Sequence, residues 1–407
     1  MNTVNGGVTA AQGFKASSCA AGIKYEGRTD MAMVWSDAPC VSAGVYTSNL
    51  VKAACVVWDK KITSQDIPVR AVVVNAGIAN ACTGEQGLLY CKETAAAVGE
   101  AMKVPENSVL VASTGVIGKQ LPIDKIVNGA ATLSATLEGG IEAGTRASRA
   151  IMTTDTVNKE VAVTFEVGGT TVTLGGMCKG SGMIHPNMCT MLGFITTDCA
   201  IDKALLQKAL SDNVTDTFNM VSVDGDTSTN DTLVVLANGL AGNEKIVSED
   251  TDYAKFKEAL YFVMETLSKK MAKDGEGATA LMEVKVINAK SRESARVLAK
   301  SVVCSSLTKA AVYGHDANWG RILCAFGYSG ETFDPDKVTL SFAGGGEDIV
   351  LFENGTGTDF SEEKATRILS NEEVTIIADF HAGTASATAW GCDLTHEYVS
   401  INADYRS

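Results

Sequence analysis

Short apolar runs punctuated by glycine, rather than long helical stripes, mark the first half of this chain. Arg70-Ala-Val-Val-Val-Asn75 and Ser108-Val-Leu-Val-Ala-Ser113 read as strands of the fully buried kind, since no polar residue alternates with the apolar ones. Residues 92–103 carry a helical pattern between them. Val161–Val167 and Thr170–Leu174 flank Gly168-Gly169, a pair suited to a two-residue hairpin turn. Residues 191–196 predict another strand. The second half begins with a helix near 202–212, followed by the turn-rich Ser222-Val-Asp-Gly-Asp-Thr-Ser-Thr-Asn-Asp231 and the strand Thr232–Ala237. Over 253–271 the spacing of Phe256, Leu260, Val263, Met264, Leu267 and Met271 predicts an amphipathic helix that stops at Lys273-Asp-Gly-Glu-Gly277. A strand over 279–287, a helix over 291–311, strands around 321–327 and 338–342 and a strand-rich end complete the pattern. No internal repeat or flexible linker separates the halves.

Composition narrows the classes. A chain of 407 residues exceeds the usual limit of one core and predicts two or three lobes. The N-terminus has neither a basic region nor an apolar core of the signal-peptide kind, and no apolar run approaches a membrane span, so a soluble, cytoplasmic protein is expected. The fifteen acidic and fifteen basic residues before Thr190 balance, so the whole formal charge of −14 falls on the second half. An acidic chain of this kind argues against nucleic-acid and anionic-membrane partners. Eleven cysteines include no Cys-x-x-Cys pair, and only four histidines are present, so the thiols read as reduced apolar residues and no metal site is expected. Gly344-Gly-Gly346 lacks the Lys-Ser/Thr that a phosphate loop requires.

The chemistry concentrates in Lys179-Gly-Ser-Gly-Met-Ile-His-Pro-Asn-Met-Cys-Thr190-Met-Leu-Gly-Phe. In mid-chain a threonine is a poor nucleophile. As a first residue it carries a hydroxyl and a free α-amine whose ordinary pKa, about 7.7–8.0, suits a general base. Breaking the Cys189–Thr190 bond would create that residue. Taken alone, a threonine at a strand start is more often structural.

This stretch resembles the cleavage segment of the ornithine acetyltransferases of arginine biosynthesis, also called bifunctional glutamate N-acetyltransferases. Their pattern there is Lys-Gly-Ser-Gly-Met-Ile-x-Pro-Asn-Met-Ala-Thr-Met-Leu, and Cys189 replaces the usual alanine. The resemblance runs from Gly6-Gly7-Val8-Thr9-Ala10 to Asn402-Ala-Asp-Tyr-Arg-Ser407. It implies a layered α/β sandwich of two lobes with an internal N-terminal-nucleophile threonine, of the ornithine acetyltransferase and DmpA-like kind. It implies cleavage into an α chain, residues 1–189, and a β chain, residues 190–407, assembling as a heterotetramer of two of each. Thr190 would be the nucleophile, and Thr114 with Gly115 the oxyanion hole. Thr153, Lys179, Thr190, Glu276, Asn402 and Ser407 would bind substrate. Thr154 and Asp274 are, as residue types, equally suited neighbours of Thr153 and Glu276. Ser407 departs from the usual terminal threonine but keeps the hydroxyl. The implied reaction is acetyl transfer from N-acetyl-L-ornithine to L-glutamate, without metal or cofactor, with acetyl-CoA as a further co-substrate in some relatives.

Three further segments match the same family without an assigned role: Asn75–Gly84, Ser222–Asp231 and Gly314–Arg321. Within the last, Trp319 and Arg321 look ligand-like but fit packing better. Two other functions compete. The same nucleophile with water as acceptor would make an amidase or aminopeptidase, and an uncleaved chain would make an amino-acid-binding scaffold.

Overall fold

In Val69–Ile78 the side chains of Val72 and Val74 enter one core, while Ala71 and Val73 enter another. The same division runs through Thr232–Ala237, where Val234 and Leu236 face one way and Leu233 and Val235 the other. Sheets covered on both faces demand such uninterrupted apolar runs. The computed structural model of the chain describes residues 1–185 and 191–404. It is a mixed α/β body with a nine-stranded and a seven-stranded sheet.

Across the larger sheet the order is Asn2–Val4, Lys159–Val167, Thr170–Lys179, Leu192–Thr197, Thr232–Ala237, Met31–Tyr46, Val69–Ile78 and Val109–Val116, with Phe14–Cys19 paired off this path to Met31–Tyr46. Leu192–Thr197 and Thr232–Ala237, from the second half of the chain, therefore lie between strands of the first. Residues 1–189 and 190–407 share one sheet rather than forming separate bodies. Met31–Tyr46 serves both ends of it: Met31–Trp35 pair with Val69–Ile78, Val41–Tyr46 pair with Thr232–Ala237, and the register shifts between Trp35 and Cys40. Pro39 lies within that shift, where a residue without an N–H is tolerated.

The expected hairpin forms between Lys159–Val167 and Thr170–Lys179, with Gly168 at φ +56° and Gly169 at φ +82°. Positive φ at both central residues is the turn that matches strand twist. The amphipathic helix is Thr251–Lys273, capped by Asp250, whose carboxylate accepts the N–H groups of Asp252 and Tyr253 at 3.0 Å. It packs on Lys159–Val167 and Thr170–Lys179 of the larger sheet and on Leu281–Ala289 and Ala385–Cys392 of the smaller one. Its stripe from Phe256 to Met271 thus fills the layer between the sheets, and truncating Leu260 or Leu267 to alanine would cost about 2–5 kcal/mol.

Two expectations fail. The helix over 291–311 is two helices, Arg292–Val303 and Ser306–Tyr313, because the Ser305 hydroxyl accepts the Thr308 N–H at 3.2 Å and starts the chain afresh. Residues 321–327 are not a strand but part of the helix Trp319–Gly327, capped by Asn318, with Ile322, Ala325 and Phe326 buried at helical spacing. A short apolar run does not distinguish the two periods. Gly345 (φ +61°) and Gly346 (φ +81°) make the turn between Thr339–Gly344 and Glu347–Glu353, which disposes of the phosphate-loop reading.

Candidate active site

Val69–Ile78 and Val109–Val116 run parallel with Gly77 opposite Gly115. At φ +128°, Gly115 holds a conformation that side chains resist, and a Cβ there would run into the Gly77 backbone. Thr114 and Gly115, near the end of this strand pair, are half-buried. Thr114, Gly115, Lys179, Glu276 and Asn402 all line one cleft, together with Thr154, Gly182 and Ser228-Thr229-Asn230.

Lys179 ends its strand at only 6% exposure. Its ammonium donates to Thr153 Oγ1 at 2.8 Å and Thr114 Oγ1 at 3.4 Å. Thr153 itself lines the adjoining cleft, whereas Thr154 lines both and shares a 2.8 Å hydrogen bond with Ser181. Burial pulls the Lys179 pKa below its ordinary value, against the opposing carboxylate of Asp155.

Behind Lys179 lies a charge chain that the sequence did not reveal. Asp155 accepts the Gly180 N–H at 2.6 Å and the Lys159 ammonium at 2.7 Å, and Lys159 also reaches Asp274 at 2.5 Å. Burial alone would raise the Asp155 carboxyl, but Lys179 and Lys159 outweigh it and hold the group well below the usual carboxylate range. Asp274 further accepts the Thr156 N–H and hydroxyl. Asp274 is thus the structural anchor of its turn, while Glu276 faces the cleft. A Cβ at Gly182 would meet the Glu276 carboxylate, which would have to move aside.

The terminal helix His396–Asp404 docks onto this turn. Thr395 donates to the Gly277 carbonyl at 2.7 Å, and Asn402 Nδ2 donates to Glu276 Oε2 at 2.7 Å. Cys189, Thr190 and Ser407 lie outside the described residues. His185 and Met191, on either side of residues 186–190, are both held by the turn-rich stretch 222–231. The Thr227 hydroxyl donates to the His185 carbonyl at 2.8 Å, and Met191 N–H donates to Asp231 at 2.9 Å.

That stretch also reaches the first half of the chain. Asn230 Nδ2 donates to the carbonyls of Ala79 (2.5 Å) and Ser113 (2.8 Å), directly before Thr114. Of the segments left without a role by sequence, Asn75–Gly84 thus supplies the cleft wall at Ala79, and Ser222–Asp231 supplies its floor. The third stands apart: the Trp319 ring packs 5.2 Å from Phe352, and Arg321 donates to the Leu307 carbonyl at 2.8 Å. No sequence signal separates Asp155, Lys159 or Asn230 from ordinary solvated residues.

A family model, the ArgJ family, matches residues 15–407. The arginine biosynthesis bifunctional protein ArgJ of Symbiobacterium thermophilum is 50% identical over 409 residues, covering 100% of both chains. The arginine biosynthesis bifunctional protein ArgJ 1 of Clostridium acetobutylicum is 49% identical over 404 residues, 99% of this chain and 98% of the relative. A crystal structure of the arginine biosynthesis bifunctional protein ArgJ from Bacillus halodurans aligns at 48% identity with a TM-score of 0.50, over 52% of this chain and 98% of that one. With its cleft residues drawn from both halves of a sequence that the family model matches over residues 15–407, the chain belongs to the ArgJ family.

Proposed function

We propose that the protein cleaves itself between Cys189 and Thr190 and then transfers acetyl groups from N-acetyl-L-ornithine to L-glutamate through an acetyl-Thr190 intermediate. The observation that carries this reading is the cleft where Thr114, Gly115, Lys179, Glu276 and Asn402 meet, beside the point at which Met191 enters the sheet. The solved Bacillus halodurans chain supports it too, since 52% of this chain covers 98% of that one, as a polypeptide divided near its middle would require.

In this scheme Thr190 Oγ attacks the acetyl carbonyl and its proton passes to the Thr190 α-amine. The developing oxyanion is met by the Gly115 N–H and the Thr114 hydroxyl. An ammonium only donates, so the bond from Lys179 leaves Thr114 its own proton to aim at substrate. One such donor is worth about 10²–10³ in rate. The C–N bond then breaks, and the proton leaves with the ornithine nitrogen. Glutamate's amine attacks the ester and regenerates the threonine. Lys179 would pair with the substrate α-carboxylate. Glu276, steadied by Asn402, would hold the ornithine side-chain ammonium, and Thr153 and Ser407 would complete the pocket. The transfer itself calls on no cofactor. Acetyl-CoA as a second donor, a heterotetramer of two α and two β chains and a cytoplasmic location belong to the same proposal. Among the described residues no helix is long and apolar enough to cross a membrane.

Intact mass and N-terminal sequencing test the cleavage. Two chains are expected, the second beginning Thr-Met-Leu-Gly-Phe, with Thr190→Ala remaining whole. A stable single wild-type chain would remove the base and overturn the mechanism. Deacylation as fast without glutamate as with it would turn the reading to a hydrolase.

A further inference from the structure

The cavity that adjoins the candidate active site measures about 200 Å³, and Lys24, Arg28, Asp30, Gly77, Thr153 and Thr154 help to line it. Thr154 lines the cleft as well, so the two spaces meet at that residue. The loop that carries the two cations is pinned in place. Asp30 is 3% exposed, and its carboxylate accepts the N–H groups of Ala21 at 2.7 Å and Ile23 at 2.6 Å. Its carbonyl accepts the Ala76 N–H at 2.8 Å, which ties the loop to the strand Val69–Ile78. Lys24 packs against Gly77, where an added Cβ would come within 3.1 Å of the Lys24 Cβ. Arg28 Nη2 donates to the carbonyls of Met152 at 2.9 Å and Thr153 at 3.0 Å. Among the described residues these bonds engage Nη2 alone, so Nε and Nη1 keep donors for a ligand.

The two amino acids of the proposed transfer differ in side-chain charge. Ornithine ends in an ammonium, which suits Glu276, whereas glutamate ends in a carboxylate, which Glu276 repels. Lys179 is the single cation lining the cleft among the described residues, and it serves the α-carboxylate that both amino acids share. The adjoining cavity supplies two more cations, and the carboxylate of Asp30 within it is already taken up by two backbone amides. The spacing fits. Thr153 links the two spaces, its hydroxyl accepting from Lys179 at 2.8 Å and its carbonyl from Arg28 at 3.0 Å. Those two oxygens are four covalent bonds and at most about 5 Å apart, which puts Lys179 Nζ and Arg28 Nη2 within about 11 Å of each other. The outer carboxylate oxygens of an extended glutamate are about 7 Å apart, and a charge-assisted hydrogen bond of about 2.8 Å at each end spans the rest.

We propose that this cavity is the acceptor's side-chain subsite, in which Lys24 and Arg28 hold the γ-carboxylate of glutamate while Lys179 holds its α-carboxylate. This inference rests on the acetyl-transfer reading above and assigns the residues that select its acceptor. The donor and the acceptor present the same α-carboxylate and α-nitrogen, and their side chains then part. The ornithine ammonium goes to Glu276, and the glutamate carboxylate crosses Thr153-Thr154 to the two cations. One cleft thus takes side chains of opposite charge in turn. The same arrangement rejects glutamine, which has the shape of glutamate without its charge.

The test is Lys24→Gln and Arg28→Gln in the full chain, assayed with N-acetyl-L-ornithine as donor and with glutamate or glutamine as acceptor. KM for glutamate should rise about ten- to hundredfold, the worth of one hydrogen bond to a charged group. The preference for glutamate over glutamine should narrow by the same factor. Release of ornithine in the first turnover, which needs no acceptor, should keep its wild-type rate, and Lys24→Arg should restore the glutamate KM. Because Arg28 also supports the Thr153 carbonyl, Lys24→Gln is the deciding variant. An unmoved glutamate KM overturns the proposal. So does an equal loss in ornithine release and glutamate use, which would make the two residues part of the cavity wall only. Weaker use of acetyl-CoA with glutamate binding intact would also overturn it and give the cavity to that donor's phosphates. A wild type that transfers no acetyl group brings down both the proposed function and this inference, whereas a normal transferase with an unmoved glutamate KM in the variants brings down this inference alone.

Discussion

Lys159, from the first half of the chain, holds the carboxylate of Asp274, from the second, at 2.5 Å, with both side chains buried. The same ammonium reaches Asp155 at 2.7 Å. Asp155 stands two residues after Thr153, and Asp274 two before Glu276. One buried cation therefore fixes the segments that bear two candidate substrate contacts across a junction that cleavage would leave non-covalent.

Lys159→Met would leave two carboxylates buried and facing each other. Breaking a buried pair by removing one partner costs about 3–5 kcal/mol. Urea denaturation should show a loss of that size, and the cleaved variant should release its two chains more readily. Unchanged stability would mean that the ammonium does not hold the junction.

The same network sets an acid limb. The Asp155 carboxyl is depressed in the folded protein, since Lys179 and Lys159 outweigh the effect of burial. A folded pKa below the unfolded value of about 3.9 contributes stability that is fully present above that value and lost as pH falls through the folded one. Melting temperatures followed downward from about pH 4 should fall more steeply for wild type than for Asp155→Asn. Parallel slopes would reject the assignment.

Gly115 and Gly118 make a matched pair. Both have positive φ, +128° and +83°, but a Cβ on Gly115 meets the Gly77 backbone while one on Gly118 meets open space. Gly115→Ala should displace the Thr114-Gly115 edge and lower kcat about 10²–10³-fold, the worth of one oxyanion donor. Gly118→Ala should carry only the backbone strain, about 1–3 kcal/mol, and retain kcat. Equal kcat losses in the two would detach the activity from the Gly115 amide.

Asn402 sits on an exposed helix end and donates to Glu276 at 2.7 Å. Its replacement by alanine removes one hydrogen bond to a carboxylate, worth about 1.5–3 kcal/mol. KM for N-acetyl-L-ornithine should rise roughly ten- to hundredfold, with melting temperature unchanged. A drop in melting temperature without a change in KM would make the residue a docking contact of the terminal helix.

Asn230 bridges the halves through the Ala79 and Ser113 carbonyls. Asn230→Ala leaves both acceptors buried and unpaired, a cost of about 1–3 kcal/mol each. Lower stability together with lower kcat is expected, because Ser113 leads into Thr114. A stability loss with kcat intact would separate the bridge from the catalytic edge.

How far the sequence reached varies with the range of the forces involved. The two-glycine hairpin turn, the helix Thr251–Lys273 and the strand Thr232–Ala237 were legible because turn chemistry and apolar period are local. The break before Ser306 was missed because the apolar spacing of residues 291–311 hides a capping serine. The helix Trp319–Gly327 was missed because its apolar run is too short to fix a period. Thr114, Gly115, Lys179, Glu276 and Asn402 were picked out by resemblance, and nothing in their local context distinguished them.

Local pattern accounts for most of the strand and helix periods, for the lack of a long apolar run, and for a segment chemically able to generate an N-terminal threonine. Tertiary structure alone decided that Lys159 is a buried cation between two carboxylates, that Asn230 ties together carbonyls from the other half, and that Asp231 lies against the residue after Thr190. The reason is desolvation. A lysine, asparagine or aspartate reads as a solvated surface residue until distant strands close over it, and only then do burial and the few donors within 3 Å fix its charge, its partners and its use.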